Sequence, residues 1–160
     1  MINTGARPSE IINLRAPRII LDANIPHIQV RPDQRVLKTE FSYRDIPLVG
    51  VSLEAMRQFP DGFPRYRDAF SAAVNKFLED HGLRETERHT LYSLRHGFKD
   101  RLRDVETPDE LKDELMGHDT KTPRYGDGHG LHLKLKYIER IALAPGMQLP
   151  APLQLVKAAG

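Results

Sequence analysis

The stretch RIILDANIPHIQV, residues 18–30, decides the fold class. Two short apolar or alternating runs, residues 18–21 and 26–30, flank Asp22-Ala23-Asn24. Asp and Asn tolerate tight turn geometry and bond their own backbone, so the pattern predicts a β-hairpin. A third run, SYRDIPL at residues 42–48, completes a small antiparallel sheet. Between the second and third strands lies a polar loop, RPDQRVLKTEF, which carries Lys38.

Outward from this sheet the periodicity becomes helical. Upstream, Pro8 and Ser9 precede Glu10, Ile11, Ile12 and Leu14, and proline is favoured in a first helical turn. Downstream, Leu53 and Met56 mark a short helix ending before the turn-forming FPDGFP. Residues 69–81 place Phe70, Ala73, Val74, Phe77 and Leu78 at helical spacing, with Gly82 as its C-terminal stop. Thr90 caps a helix through Leu91, Leu94, Phe98 and Leu102. Thr107 and Glu110 have the spacing of a capping box, which opens a helix through Leu111 and Leu115 that stops at Gly117. Residues 131–143 form a last amphipathic helix, with Tyr137 on its core side, before a proline-broken tail. The expected class is α+β, mostly helical, with a three-stranded antiparallel sheet packed on a helical body.

Composition bounds the chemistry. A chain of 160 residues is one domain long. With no cysteine, disulfides, thiolate zinc sites and cysteine nucleophiles are excluded. The net charge of +2 is mildly basic, and only its distribution speaks to nucleic acid. No apolar run approaches the roughly 20 residues of a membrane span, and the first residues lack the apolar core of a secretory signal. These features predict a cytoplasmic protein with no membrane partner. His118, His129, His132 and Asp127 match no metal-ligand spacing, and HGLH lacks the glutamate of a catalytic HExxH helix. There is no Gly-rich phosphate loop either, so neither metal nor cofactor is expected.

Three strings carry chemistry together: TGARPSEI with Arg7, LYSLRHGF with Arg95, and LMGHDTKTPRYG with His118 and Tyr125. Each alone is weak, because a lone arginine on a basic face is usually only solvated. Their order and wording resemble the catalytic domain of the tyrosine recombinases (the phage-integrase family). The first arginine of that family stands in a TGxRxxE string, matched here by Arg7 and Glu10. Its second follows an HxxR box, matched by Arg95 with His96 beside it, and its LGH string precedes the nucleophilic tyrosine, matched by His118 and Tyr125. Lys38 stands where the family keeps a catalytic lysine. Two features depart from the pattern. Tyr92 replaces the first histidine of HxxR, and a tyrosine there can hydrogen-bond a phosphate but cannot shuttle protons near neutral pH. The interval from His118 to Tyr125 is also shorter than in the family.

The resemblance implies a DNA strand transferase. Two guanidiniums bind the charge that builds on a phosphodiester under attack, with a directionality that lysines lack; one such donor is worth on the order of 3 kcal/mol in the transition state. Tyr125 would form the phosphotyrosine bond, Lys38 would protonate the departing 5′-oxygen, His118 would bond the phosphate, and Glu10 would brace Arg7. Tyr92 and His96 would support the site. Double-stranded DNA is the implied partner, with tetramers on paired sites in a full-length protein that is bacterial or phage-encoded and nucleoid-associated. Residues 1–143 would be the catalytic domain, truncated at its N-terminus, and residues 144–160 an extended tail. Two other readings stay open: a DNA-binding remnant that has lost activity, and a type IB topoisomerase-like enzyme.

Overall fold

The computed structural model describes residues 1–32, 42–63, 69–119 and 128–146. At its centre is strand β2 (His27–Val30), paired antiparallel with β1 (Ile19–Ile20) on one side and β3 (Arg44–Pro47) on the other. The register sets Ile28 opposite both Ile19 and Ile46, and Val30 opposite Arg44. Successive strand residues face opposite ways. Ile28, Val30 and Ile46 therefore share the buried face, and Arg44 shares it with them. Tyr43 and Asp45 alternate outward. The strands are shorter than the sequence pattern suggests: Arg18 ends a 3-10 turn (Ala16–Arg18) before β1 begins, and β3 covers only Arg44–Pro47 of SYRDIPL.

Six helices surround the sheet among the described residues: α1 (Pro8–Ile12), α2 (Gly50–Gln58), α3 (Phe70–Asp80), α4 (Ser93–Asp104), α5 (Asp109–Met116) and α6 (Leu131–Arg140). The chain is thus α+β, with a three-stranded antiparallel sheet against a helical body. The core joins Ile28 and Ile46 of the sheet to Phe98 and Leu102 of α4, Leu111 and Leu115 of α5, and Ile138 of α6. Each such side chain contributes about 1.5–3 kcal/mol when removed from water. On α4 the buried positions are Arg95, Phe98 and Leu102, one helical face at spacings of three and four. Arg95 is therefore an inward residue by the same periodicity that buries Phe98.

Two local departures follow from geometry. The Thr107–Glu110 capping box does not form: α5 starts from Pro108, and Thr107 Oγ1 is buried with no hydrogen-bond partner among the described residues. Helix α3 has the expected amphipathic spacing yet buries no residue, and Phe77 stays 52% exposed. Near the N-terminus, the buried Asn3 amide donates to Val49 O and Leu143 O and accepts from Leu143 N, fastening the first residues to the chain beyond α6. Gly5 follows at φ 58°, where a Cβ would lie 2.4 Å from the Phe98 ring, so only glycine fits beneath α4. Among the described residues no helix is long and apolar enough to cross a membrane.

Candidate active site

The site is organised by the end of α5. A helix leaves its last carbonyls without intrahelical partners, and they carry the negative end of its dipole. Here three successive carbonyls each take one arginine. Arg44 Nε donates to Leu115 O at 2.9 Å, Arg95 Nη2 to Met116 O, and Arg7 Nη2 to Gly117 O at 2.8 Å. Arg95 Nη1 also donates to Gly5 O. Gly117 turns the chain at φ 61°, ψ 44°, a left-handed conformation that costs glycine least. Its missing Cβ matters as well, since one would lie 2.6 Å from Arg44 Nη1.

Glu10 balances this cluster from α1. Its Oε2 accepts from the Arg7 backbone N–H at 2.7 Å and from Arg44 Nη2 at 2.8 Å. Its Oε1 accepts from Arg7 Nη1 at 2.7 Å and from Arg44 Nη1 at 3.2 Å. Burial pushes the Glu10 carboxyl up, but Arg44 and Arg7 together outweigh it and hold the group below the usual carboxylate range. Three guanidiniums against one carboxylate leave the cluster net positive. Burial, then the neighbouring Arg7 and Arg44, lower the Arg95 pKa to about 10, which still leaves it protonated at neutral pH.

The three arginines are not equivalent. With a further bond from Arg44 Nη1 to Ser42 O at 2.8 Å, the named bonds commit four of the five N–H groups of Arg44, whose side chain is 0% exposed. They commit three of the five of Arg7, which also donates to Ser42 Oγ and reaches solvent at 12% exposure. Arg7 thus faces outward and Arg44 stands behind it.

His118 covers Arg95. The turn at Gly117 brings His118 N–H to Asp113 O at 2.9 Å, which sets the imidazole beside both groups. Its Nε2 lies 3.3 Å from Arg95 Nη2, and its Nδ1 lies 3.6 Å from Asp113 Oδ1, an oxygen that Lys99 Nζ approaches to 3.7 Å. Burial, then Arg95 and Lys99, lower the His118 pKa below its ordinary value of 6.5 and so favour the neutral ring. Arginine can only donate. In this arrangement Nε2 is therefore the acceptor, and the single N–H is on Nδ1, toward Asp113.

The residues picked from the sequence are distributed as follows. Arg7, Glu10, Arg95 and His118 meet in one cluster. Tyr92 and His96 stand exposed at the start of α4 with ring centroids 6.0 Å apart; Tyr92 also lines an open groove with Pro8, Ser9, Ile12 and Phe70. Lys38 and Tyr125 lie outside the described residues. Sequence reasoning missed Arg44 and Ser42, although SYRDIPL places both on the inward side of an alternating strand. It also missed a buried charge group behind the sheet. Glu114 accepts from Lys134 Nζ at 2.8 Å and from His129 N at 3.0 Å, with His129 Nδ1 at 2.6 Å, while Lys134 Nζ also donates to Asp45 O at 3.1 Å. Burial raises the Glu114 carboxyl, but Lys134 and His129 bring it below its ordinary range.

No protein-family model and no curated protein matches this sequence. Among solved structures, the chain is similar to the Tn1549 transposon integrase in complex with circular intermediate DNA, at TM-score 0.57 and 16% identity over 85% of this chain and 51% of that one. A second complex with such DNA aligns at TM-score 0.55 and 16% identity, covering 85% of this chain and 52% of the integrase. The complex of that integrase with transposon right-end DNA aligns at 0.52 and 18%, with 85% and 51% covered. This chain therefore spans about half the length of the integrase it matches, and over that span it has the same fold.

Proposed function

We propose that this chain is the catalytic core of a site-specific DNA recombinase or integrase, which cleaves and rejoins strands through Tyr125. The observation that carries the reading is the convergence of Arg7, Arg95 and His118 at the end of α5, a net-positive cluster whose charge suits one phosphodiester. The likeness in fold to an integrase bound to DNA supports it.

In this scheme Arg7 receives the non-bridging oxygens with directional, charge-assisted bonds. Tyr125 Oη gives its proton to solvent as it attacks phosphorus, and the bond to the 5′-oxygen breaks, leaving a 3′-phosphotyrosine and a free 5′-hydroxyl. Lys38 gives the proton that the departing oxygen needs. His118, neutral at the outset, can take a proton and then donate to the phosphate. The reverse reaction with another strand's 5′-hydroxyl rejoins the DNA, because the phosphotyrosine retains the bond energy. The scheme calls on neither a metal nor a nucleotide. Tetramers on paired sites belong to the same proposal, as does the division into a core of residues 1–143 and a tail of residues 144–160.

The test is covalent capture. The chain is incubated with supercoiled plasmid at low salt and quenched in detergent, and DNA-linked protein is then mapped by peptide mass. The expected result is an adduct on Tyr125 that disappears in Tyr125→Phe. DNA binding with no adduct would leave only a binding module, and an adduct surviving Tyr125→Phe would remove that residue from the mechanism. Closed-circular relaxed topoisomers without exchange of ends would favour the topoisomerase-like reading.

A further inference from the structure

We propose that Arg44 is a positioning residue for this site: it offsets Glu10 from behind, so that Glu10 orients Arg7 without cancelling the charge Arg7 presents to a phosphate. The inference rests on the reading above, and its evidence is geometric. Glu10 needs both oxygens to hold Arg7, one for the backbone N–H and one for Nη1. A carboxylate gripping one arginine in this way would form a neutral pair. Arg44 binds the same two oxygens from the opposite side, Nη2 to Oε2 and Nη1 to Oε1.

Arg44 also holds the other end of the Arg7 clamp. It donates to Leu115 O and Ser42 O, and Arg7 bonds the Ser42 hydroxyl and the Gly117 carbonyl. The Arg44 guanidinium occupies the space where a side chain on residue 117 would begin. Fully buried and with four donors committed, it is not placed to touch a substrate. Stability alone gives little reason for a charge here, because buried ion pairs can often be replaced by apolar groups without loss. Charge balance at the anion site gives one.

The probe is inorganic phosphate, titrated at low ionic strength and pH 7 against the full chain and three variants, with strand cleavage measured in parallel. Arg44→Met lowers the net charge of the cluster by one unit, and affinity should fall on the order of tenfold, the effect of one nearby charge at a partly screened site. Arg44→Lys keeps the charge, and affinity should stay within about threefold of the parent. Arg44→Met/Glu10→Gln removes one charge of each sign, so it should bind more tightly than Arg44→Met, but it takes one acceptor oxygen from Arg7 and should stay below the parent. If Arg44→Met does not fold, Arg44→Lys decides the matter alone. A tenfold loss in Arg44→Lys means that Arg44 acts only as packing, which overturns the inference. Parent-like binding by a folded Arg44→Met overturns it too. A parent chain that neither binds phosphate nor cleaves DNA overturns the proposed function, and this inference with it.

Discussion

Gly117→Ala and Gly82→Ala form a matched pair that isolates the contact between Arg44 and the end of α5. Both glycines have φ 61° and follow a helix, and both are followed by a residue whose N–H closes back five positions, Leu83 to Leu78 O and His118 to Asp113 O. Alanine in this left-handed conformation costs about 1 kcal/mol at either place. The surroundings then separate them. A Cβ on residue 82 meets nothing within 4 Å, whereas one on residue 117 lies 2.6 Å from Arg44 Nη1 and 2.9 Å from Cζ. The Arg44 guanidinium cannot yield cheaply, because it is tied to Glu10, Leu115 O and Ser42 O. Shifting it adds about 1–3 kcal/mol as overpacking, and breaking its pair with Glu10 outright would add about 3–5 kcal/mol. Urea denaturation should therefore show Gly82→Ala losing about 1 kcal/mol and Gly117→Ala about 2–4 kcal/mol. Losses within about 0.5 kcal/mol of each other would refute the claim that Arg44 fills that space.

Four further outcomes are expected, three at the arginine cluster and one at Glu114. Arg7→Lys keeps the charge but loses the fork, so strand cleavage should fall on the order of 100-fold while low-salt DNA binding, which follows phosphate contacts, changes little; equal losses in both would make Arg7 an affinity residue only. His118, followed by imidazole NMR, should titrate below 6.5 in the free chain and shift upward on adding phosphate, whereas an unmoved titration would place the anion away from Nε2. The lowered pKa means that the folded state takes up this proton less readily than the unfolded chain. Its contribution to stability is therefore present above pH 6.5 and lost as pH falls below it, a slope that His118→Gln should flatten. Lys134→Met leaves Glu114 buried beside His129 without its ammonium, and denaturation should show a loss of about 3 kcal/mol, with Lys134→Met/Glu114→Gln recovering part of it; a loss below about 0.5 kcal/mol would mean that the pair is screened by water.

The sheet and the helices were legible because their periods are local. RIILDANIPHIQV alternates around a turn, and Phe98 and Leu102 repeat at helical spacing. Their ends were less so. Thr107 has the right chemistry for a cap, but Pro108 fixes its own φ and itself stands at the N-cap, so α5 starts at Asp109. Of the site, Arg7, Glu10, Arg95 and His118 were legible through the wording of three strings. Arg44 was not, because an arginine in a strand reads as an exposed edge residue unless the inward positions are counted. Ser42, Arg44, Ile46 and Leu48 are all buried and fall on alternate positions, so the count was available. Glu114 and Lys134 were illegible for a different reason: they meet across two helices twenty residues apart, and no local period reports that.

How three arginines can share one pocket before any anion arrives bears on the order of events. Their mutual repulsion is met by Glu10 and by the negative end of α5, which offers each guanidinium its own carbonyl. The arginines are thus preorganised, and the reorganisation left for a phosphate to drive is at His118. Access is uneven, however. Arg95 is buried and His118, whose side chain is 39% exposed, lies over its Nη2. A phosphate approaching from solvent meets Arg7 and the imidazole before it meets Arg95. Its negative charge would oppose the influence of Arg95 and Lys99 that keeps the ring neutral, and so would favour the imidazolium. The proton would go to Nε2, the nitrogen now occupied as acceptor, and Nε2 could then no longer face Arg95 without placing one donor against another. The ring must turn toward the phosphate, and that same turn uncovers Arg95. On the proposed reading, proton uptake at His118 and engagement of Arg95 would therefore go together, and a phosphate-dependent rise in the His118 pKa would report the first.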